Sequence, residues 1–374
     1  MENNKKQQAF FALLRAGLWP EPERHVSLDI PVDWEEVYRL ATEQSVLGLV
    51  LAGIDCLPND QRPPKAVLLQ WIGEIQVLEQ QNKKMNLFIG EMVERMRKVG
   101  IYTLLIKGQG MAQCYERPLW RSCGDVDFYL SKDNFNKAKD FFRPLVPAFD
   151  PDNDYSQHIN MYYAPWVVEI HGDQYTALSS RVDRVIDEIH HDLFFGGNVR
   201  SWRIGNTQVF LPSADNDVLI IFSHFLKHFY KGGLGLRQIC DWCRLLWTYK
   251  DTINVKQLKR RLNDMGVMSI WKAFAAFVVE YLGMPKDAMP LYSDKQCWKR
   301  KAEKIAAFLM EVGNFGHNRD TSYHGKYPKL ICKMISMWRR FGDAMRHTRI
   351  FPIESLRFFP YEVYYGIRVT IKGE

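Results

Sequence analysis

From Pro63-Pro64 to about residue 98, apolar positions recur with helical spacing: Val67, Leu68, Trp71, Ile72, Ile75 and Leu78, then Leu87, Phe88, Met92 and Met96. Such a stripe predicts one long helix with a buried face. The chain before it also reads as helical. Asp33 with Glu36 forms a capping box ahead of Val37, Leu40 and Ala41, and an apolar segment follows over Val46 to Ile54. At Ile101 the period changes. Ile101 to Ile106 is a short apolar run of strand length, and Asp125 to Leu130 alternates polar and apolar positions. Two more extended runs, Gln157 to Tyr163 and Trp166 to His171, are divided by Pro165, and residues 199 to 211 read as a hairpin around Gly205-Asn206. A helix is expected over Asp133 to Val146, ended by Pro144 and Pro147.

From Pro212-Ser213 the helical period returns, with Ser213 as N-cap and Val218, Leu219, Phe222, Phe225, Leu226 and Phe229 on the apolar side, until Gly232-Gly233 breaks it. The pattern predicts an α+β protein whose small mixed sheet is flanked by helical regions. The divisions fall at 1–98, 99–211 and 212–374.

Composition narrows the class. With 47% apolar residues, 374 positions are ample to bury a core. No run approaches the ~18 apolar residues of a membrane span. The charged start, MENNKKQQAF, lacks a signal-peptide core, so a cytoplasmic location is the default. Seven cysteines without regular spacing suit reduced thiols. Cys240-Asp-Trp-Cys243 has the CxxC spacing but no second pair, and it reads as helix.

The chemistry concentrates between Ile101 and Leu130. A lysine and two glycines, Lys107, Gly108 and Gly110, follow the first strand, then Met111, Ala112, Cys114 and Tyr115 can form a helix. On the next strand Asp125 and Asp127 share one face, with Val126 and Phe128 on the other. Adjacent carboxylates raise one another's pKa, and a cation relieves that cost. Hard oxygen ligands suit magnesium, so the stretch reads as a two-metal phosphoryl or nucleotidyl transfer site. The backbone N–H groups after the Gly108 turn can receive a triphosphate, and Lys107 and Arg121 supply positive charge. Taken alone, Asp-x-Asp is more often a polar turn before an ordinary strand; the order of the surrounding elements favours a site. Further on, Glu169 shares a face with Val167 and His171. It reads either as a third carboxylate or as an edge-strand glutamate facing water.

Lys107-Gly108, Arg121, Asp125-Val-Asp127 and Glu169-Ile-His171 together resemble the bacterial group called uncharacterised nucleotidyltransferases, within the superfamily of DNA polymerase β type. The close likeness runs from Ile101 to Asp241. It implies transfer of an NMP from an NTP to an acceptor, with release of pyrophosphate and with Mg2+ or Mn2+ as cofactor. It further implies that Asp125 and Asp127 hold both metals and Glu169 one, and that Lys107, Gly108 and Arg121 position the triphosphate. His171, Arg237 and Asp241 would lie toward the substrate. Two departures stand out: Gln109 where the superfamily prefers serine, and Glu169 where the group usually carries aspartate.

Other readings compete for the remaining residues. Arg237 and Asp241, at i,i+4 spacing, suit an intrahelical ion pair. His171 could instead bind phosphate, orient the acceptor, or bond within the sheet. His224 and His228 share a helix face without the glutamate of a zinc-protease motif, and read as a polar wall of the cleft. From Lys326 to the end, ten Lys/Arg face four acids, which accounts for most of the chain's net charge of +7. The interleaved aromatics Trp338, Phe341, Phe351, Phe358, Phe359, Tyr361, Tyr364 and Tyr365 are expected mostly beneath a solvated face, with binding to a nucleic acid, an anionic membrane surface or an acidic partner as the second reading. A non-catalytic nucleotide-binding protein on the same fold is the alternative to an enzyme. If the carboxylate cluster is self-repelling, Asp127→Asn should leave stability unchanged or slightly improved.

Overall fold

The computed structural model describes residues 2–19, 26, 28, 31–146, 157–173, 176, 178–231, 233–314 and 326–372. The expected breakers Pro147 and Gly232 lie outside them. Helices α1 (Glu2–Leu18), α2 (Trp34–Glu43) and α3 (Leu47–Ile54) precede the long α4 (Lys65–Lys98). The central section runs β1 (Leu104–Ile106), α5 (Gly108–Ala112), β2 (Asp125–Tyr129), α6 (Lys132–Phe142), β3 (His158–Tyr163), β4 (Trp166–His171), α7 (Ser180–Phe194), β5 (Val199–Ile204) and β6 (Thr207–Pro212). Helices α8 (Ala214–Lys231), α9 (Leu236–Thr248), α10 (Val255–Met265), α11 (Met268–Leu282), α12 (Gln296–Val312), α13 (Lys329–Ile350) and α14 (Pro352–Lys372) complete it. The α+β class and the flanking helices agree with the hydrophobic pattern. The first strand is shorter than its apolar run, because Ile101 packs against α4 without joining the ladder.

The six strands form one mixed sheet in the order β3-β4-β2-β1-β6-β5. β2 pairs parallel with β4 and antiparallel with β1. This places three elements distant in sequence side by side. Alternation then divides the sheet chemically. Val126 and Phe128 on β2, with Val168 and Ile170 on β4, join Met85, Ile89, Met92 and Met96 of α4 and Phe135, Ala138 and Phe142 of α6 in one core. A larger core runs from α1 and α3 through Leu104, Ile106 and Tyr129 to α7, α8, α9 and α11. The acidic residues of β2 and β4 occupy alternate positions to the first core, so they face the helical side without being packed into it.

Local signals explain the boundaries. Asp33 caps α2 by accepting from the Glu36 amide, and Ser131 and Ser179 cap α6 and α7 in the same way. Ser213 precedes α8 and accepts from the Asp217 amide through its backbone carbonyl. No helix among the described residues is long and apolar enough to cross a membrane.

Candidate active site

Register builds the site. In the β2–β4 pairing, Asp125 lies opposite Val167, Asp127 opposite Glu169, and Tyr129 opposite His171. Parallel strands keep side chains of paired residues on the same face, so Asp125, Asp127, Glu169 and His171 line one strip of the sheet. β1 adds Ile106 opposite Asp127, and the chain turns at once into Lys107 and Gly108.

Lys107 reaches back from that turn. Its Nζ donates to Asp127 Oδ1 at 3.0 Å, and His171 Nε2 stands 2.9 Å from the same oxygen. Asp127 is 3% exposed, so this carboxylate is held by its neighbours rather than by water. Burial pushes its pKa up, but the Lys107 charge and the His171 hydrogen bond outweigh burial and hold it below the usual range. The Lys107 pKa is raised because Asp127, Glu169 and Asp125 together outweigh its desolvation. Glu169 Oε2 lies 3.3 Å from His158 Nε2 and 3.5 Å from His171 Nε2. Those two contacts hold its carboxyl far below the usual range. Asp125 differs. Burial, then the charges of Asp127 and Glu169, push its carboxyl upward.

The turn itself is strained. Lys107 adopts φ 55° and ψ −146°, a region costly for a residue with a side chain, of order 1–3 kcal/mol. Gly108 follows with φ +40°, and a Cβ there would stand 3.3 Å from Cys123 Sγ and 3.5 Å from the Asp125 carbonyl oxygen. Gln109, at the position where the superfamily prefers serine, is buried. Its Nε2 donates to Asn82 Oδ1 at 2.7 Å. Asn82 in turn donates to the carbonyls of Leu119 (2.8 Å) and Arg121 (2.9 Å). One α4 side chain thus fixes both the glycine turn and the arginine segment. Sequence reading missed Asn82, although it falls on the stripe of Trp71, Ile75 and Met85, where a lone amide needs partners. His158 was missed as well, because it was read only as part of an extended run.

Arg121 is buried. Its Nε and Nη2 donate to the two oxygens of Asp241, each at 2.7 Å, and the Tyr115 hydroxyl adds a 2.8 Å bond to Oδ1. The intrahelical Arg237–Asp241 pair expected from spacing is therefore not formed. Arg237 instead donates to the Ser122 carbonyl at 2.9 Å. The reason is geometric: α9 packs against α5, so its buried carboxylate meets the cation delivered by the chain after α5. Arg121, Arg237 and Arg244 line one wall of a cavity of about 300 Å³ that reaches Gly17 and Gly48 of the N-terminal helices.

His224 and His228 lie beside the site. Their Nε2 atoms are 3.1 Å apart. Desolvation, with the nearby Lys107 charge, holds His224 well below and His228 at about 4, so both are neutral near pH 7. Cys240 and Cys243 are wholly buried in α9, where burial pushes both thiols well above the ordinary range. Phe351, between α13 and α14, and Phe358 of α14 are buried as expected, whereas Trp338, Phe341, Phe359 and Tyr364 are exposed. The expectation of aromatics beneath a solvated face holds only for part of that segment.

The three carboxylates, the lysine–glycine turn and the acid–histidine strand end thus come together at one place. Residues 31–283 match the model of the uncharacterised nucleotidyltransferase family. No curated protein and no solved structure gives a significant match. With the family model spanning most of its length, the chain belongs to the uncharacterised nucleotidyltransferase family.

Proposed function

We propose that this protein moves an NMP from an NTP to an acceptor hydroxyl, amine or phosphate, releasing pyrophosphate. One observation carries the reading: Asp127 pairs directly with Glu169 across β2 and β4, with Asp125 two positions earlier on the same face, beside the Lys107–Gly108 turn. The donor set fits a hard divalent ion, because it offers carboxylate oxygens and Asp125 carries negative charge that its neighbours leave poorly compensated. Asp125, Asp127 and Glu169 would hold Mg2+ or Mn2+, which supplies charge neutralisation at the phosphates when bound.

The chain's own residues do the positioning, on which phosphoryl chemistry chiefly depends. Lys107 holds Asp127 and offers its remaining ammonium protons to phosphate oxygens. Gly108 leaves the backbone open to close approach. Arg121, its charge balanced by Asp241, acts through the 121–124 turn that it anchors. His171 orients Asp127 and borders the acceptor side, while Arg237 steadies the turn through Ser122. The exposed aromatics and basic residues of α13 and α14 make polyanions one acceptor class worth including.

The test is pyrophosphate release from each NTP with magnesium across a panel of hydroxyl, amine and nucleic-acid acceptors. Turnover that needs the divalent ion and disappears in Asp125→Asn supports the reading. Absence of NTP binding to the folded wild type, with or without magnesium, defeats it.

A further inference from the structure

Beside the carboxylate face stands a second donor set of different chemistry. His158 on β3 and His171 on β4 are paired in the sheet, and their rings stack with centroids 4.6 Å apart. Both Nε2 atoms stand near one oxygen, Glu169 Oε2, at 3.3 and 3.5 Å. All three donor atoms lie within 4.8 Å of one another, and these residues are the metal-compatible cluster found among the described residues.

The spacing is informative. Ligands about 2.0–2.1 Å from a zinc-like ion at tetrahedral angles sit roughly 3.3–3.4 Å apart. The two nitrogen–oxygen separations match that edge length. Two imidazoles and one carboxylate, with a fourth position open, favour a borderline transition ion over magnesium, which prefers oxygen. Each half-buried residue can also be reached from solvent.

We propose that His158, Glu169 and His171 bind a divalent transition ion of the zinc or cobalt type, at a site sharing Glu169 with the carboxylate face but not requiring NTP. Binding requires His171 Nε2 to give up the proton it donates to Asp127 Oδ1, 2.9 Å away, so that its lone pair can face the ion, and leaves Lys107 as the partner of Asp127. The site therefore couples ion occupancy to the setting of Asp127.

The experiment titrates metal-free full-length protein with Co2+, reading visible absorption, and repeats the titration with excess Mg2+ present. Wild type should bind about one equivalent with an absorption band of low-coordinate cobalt, and magnesium should not displace it. His158→Phe keeps a ring to stack on His171 but removes the nitrogen; affinity should fall at least tenfold while the far-ultraviolet circular dichroism is unchanged. Lack of a cobalt band in wild type, displacement by magnesium, or unchanged affinity in folded His158→Phe overturns the proposal. NTP binding measured on the same samples separates the two readings. Nucleotide binding without cobalt binding removes only this site, whereas cobalt binding without nucleotide binding supports it and removes the transferase reading.

Discussion

Arg121 and Asp241 meet through two 2.7 Å hydrogen bonds in the interior, joining the turn before β2 to the middle of α9. Both side chains are nearly inaccessible, at 6% and 5% exposure. Removing one partner leaves a buried, uncompensated charge, which typically costs about 3–5 kcal/mol. Asp241→Ala should therefore destabilise strongly in denaturant titrations. Arg121→Met with Asp241→Leu should recover much of the loss while still impairing nucleotide binding, because the turn loses its anchor. A double variant no more stable than Asp241→Ala would refute this account of the pair.

Asn82 makes a sharper case for positioning. Its amide serves Gln109, Leu119 and Arg121 at once. Asn82→Ala strands buried partners at about 1–3 kcal/mol and should lower NTP affinity without touching a carboxylate. Isothermal titration against an NTP, alongside a melting curve, checks both halves.

Two glycines should respond in opposite directions. Gly108 needs its positive φ and has Cys123 Sγ close to where a Cβ would go, so Gly108→Ala should cost stability. Gly73 sits exposed within α4 with nothing near its Cβ position, so Gly73→Ala should add about 0.5–1 kcal/mol. Equal and small effects from both would mean that the turn is not strained.

What could be read from the sequence depended on range. Alternation placed Asp125 with Asp127 and Glu169 with His171, because strand faces are set by neighbours two residues apart. The β2–β4 register that puts Asp127 opposite Glu169 was legible only through family resemblance, since pairing of distant strands leaves no local periodicity. The Arg237–Asp241 expectation failed for the same reason. Helical spacing offered Asp241 a nearby cation, and tertiary packing offered it a closer, better-aligned one in Arg121. Asn82 and His158 had no motif around them, and only the side chains they meet reveal them.

Below neutral pH, His224 and His228 should make the protein less stable. Their pKa values are depressed in the fold, that of His228 to about 4, so below about 6.5 the unfolded chain binds their protons more readily. Stability is thus intact above about 7 and declines as pH falls, by up to about 1.4 kcal/mol per pH unit for each histidine. Carboxylates confuse the lower end of that window, so the slope is best taken between pH 7 and 5. His228→Gln should flatten it relative to wild type. An unchanged slope would show that the pair does not titrate as described.

The two aspartates of β2 should separate in metal-free protein, although they share one face. Viewed as a self-repelling cluster, either acid could lose its charge at no cost to the fold. The contacts reverse that expectation for Asp127. It is held by Lys107 and His171, and its replacement by asparagine leaves the buried Lys107 ammonium without its hydrogen-bonded counter-ion. Among the described residues Asp125 has no hydrogen-bonded counter-ion; burial and its two neighbouring carboxylates work against its charge. In the presence of a chelator, Asp127→Asn should lower the thermal midpoint, whereas Asp125→Asn should hold or raise it. Both should abolish magnesium-dependent pyrophosphate release while remaining folded, since each removes a proposed ion ligand. Stability and turnover therefore move together in one variant and apart in the other. Measuring thermal midpoint and pyrophosphate release on the same preparations resolves the pair. A stabilised Asp127→Asn would show that Lys107 is not its counter-ion in solution, and full turnover in either variant would remove these carboxylates from the proposed chemistry.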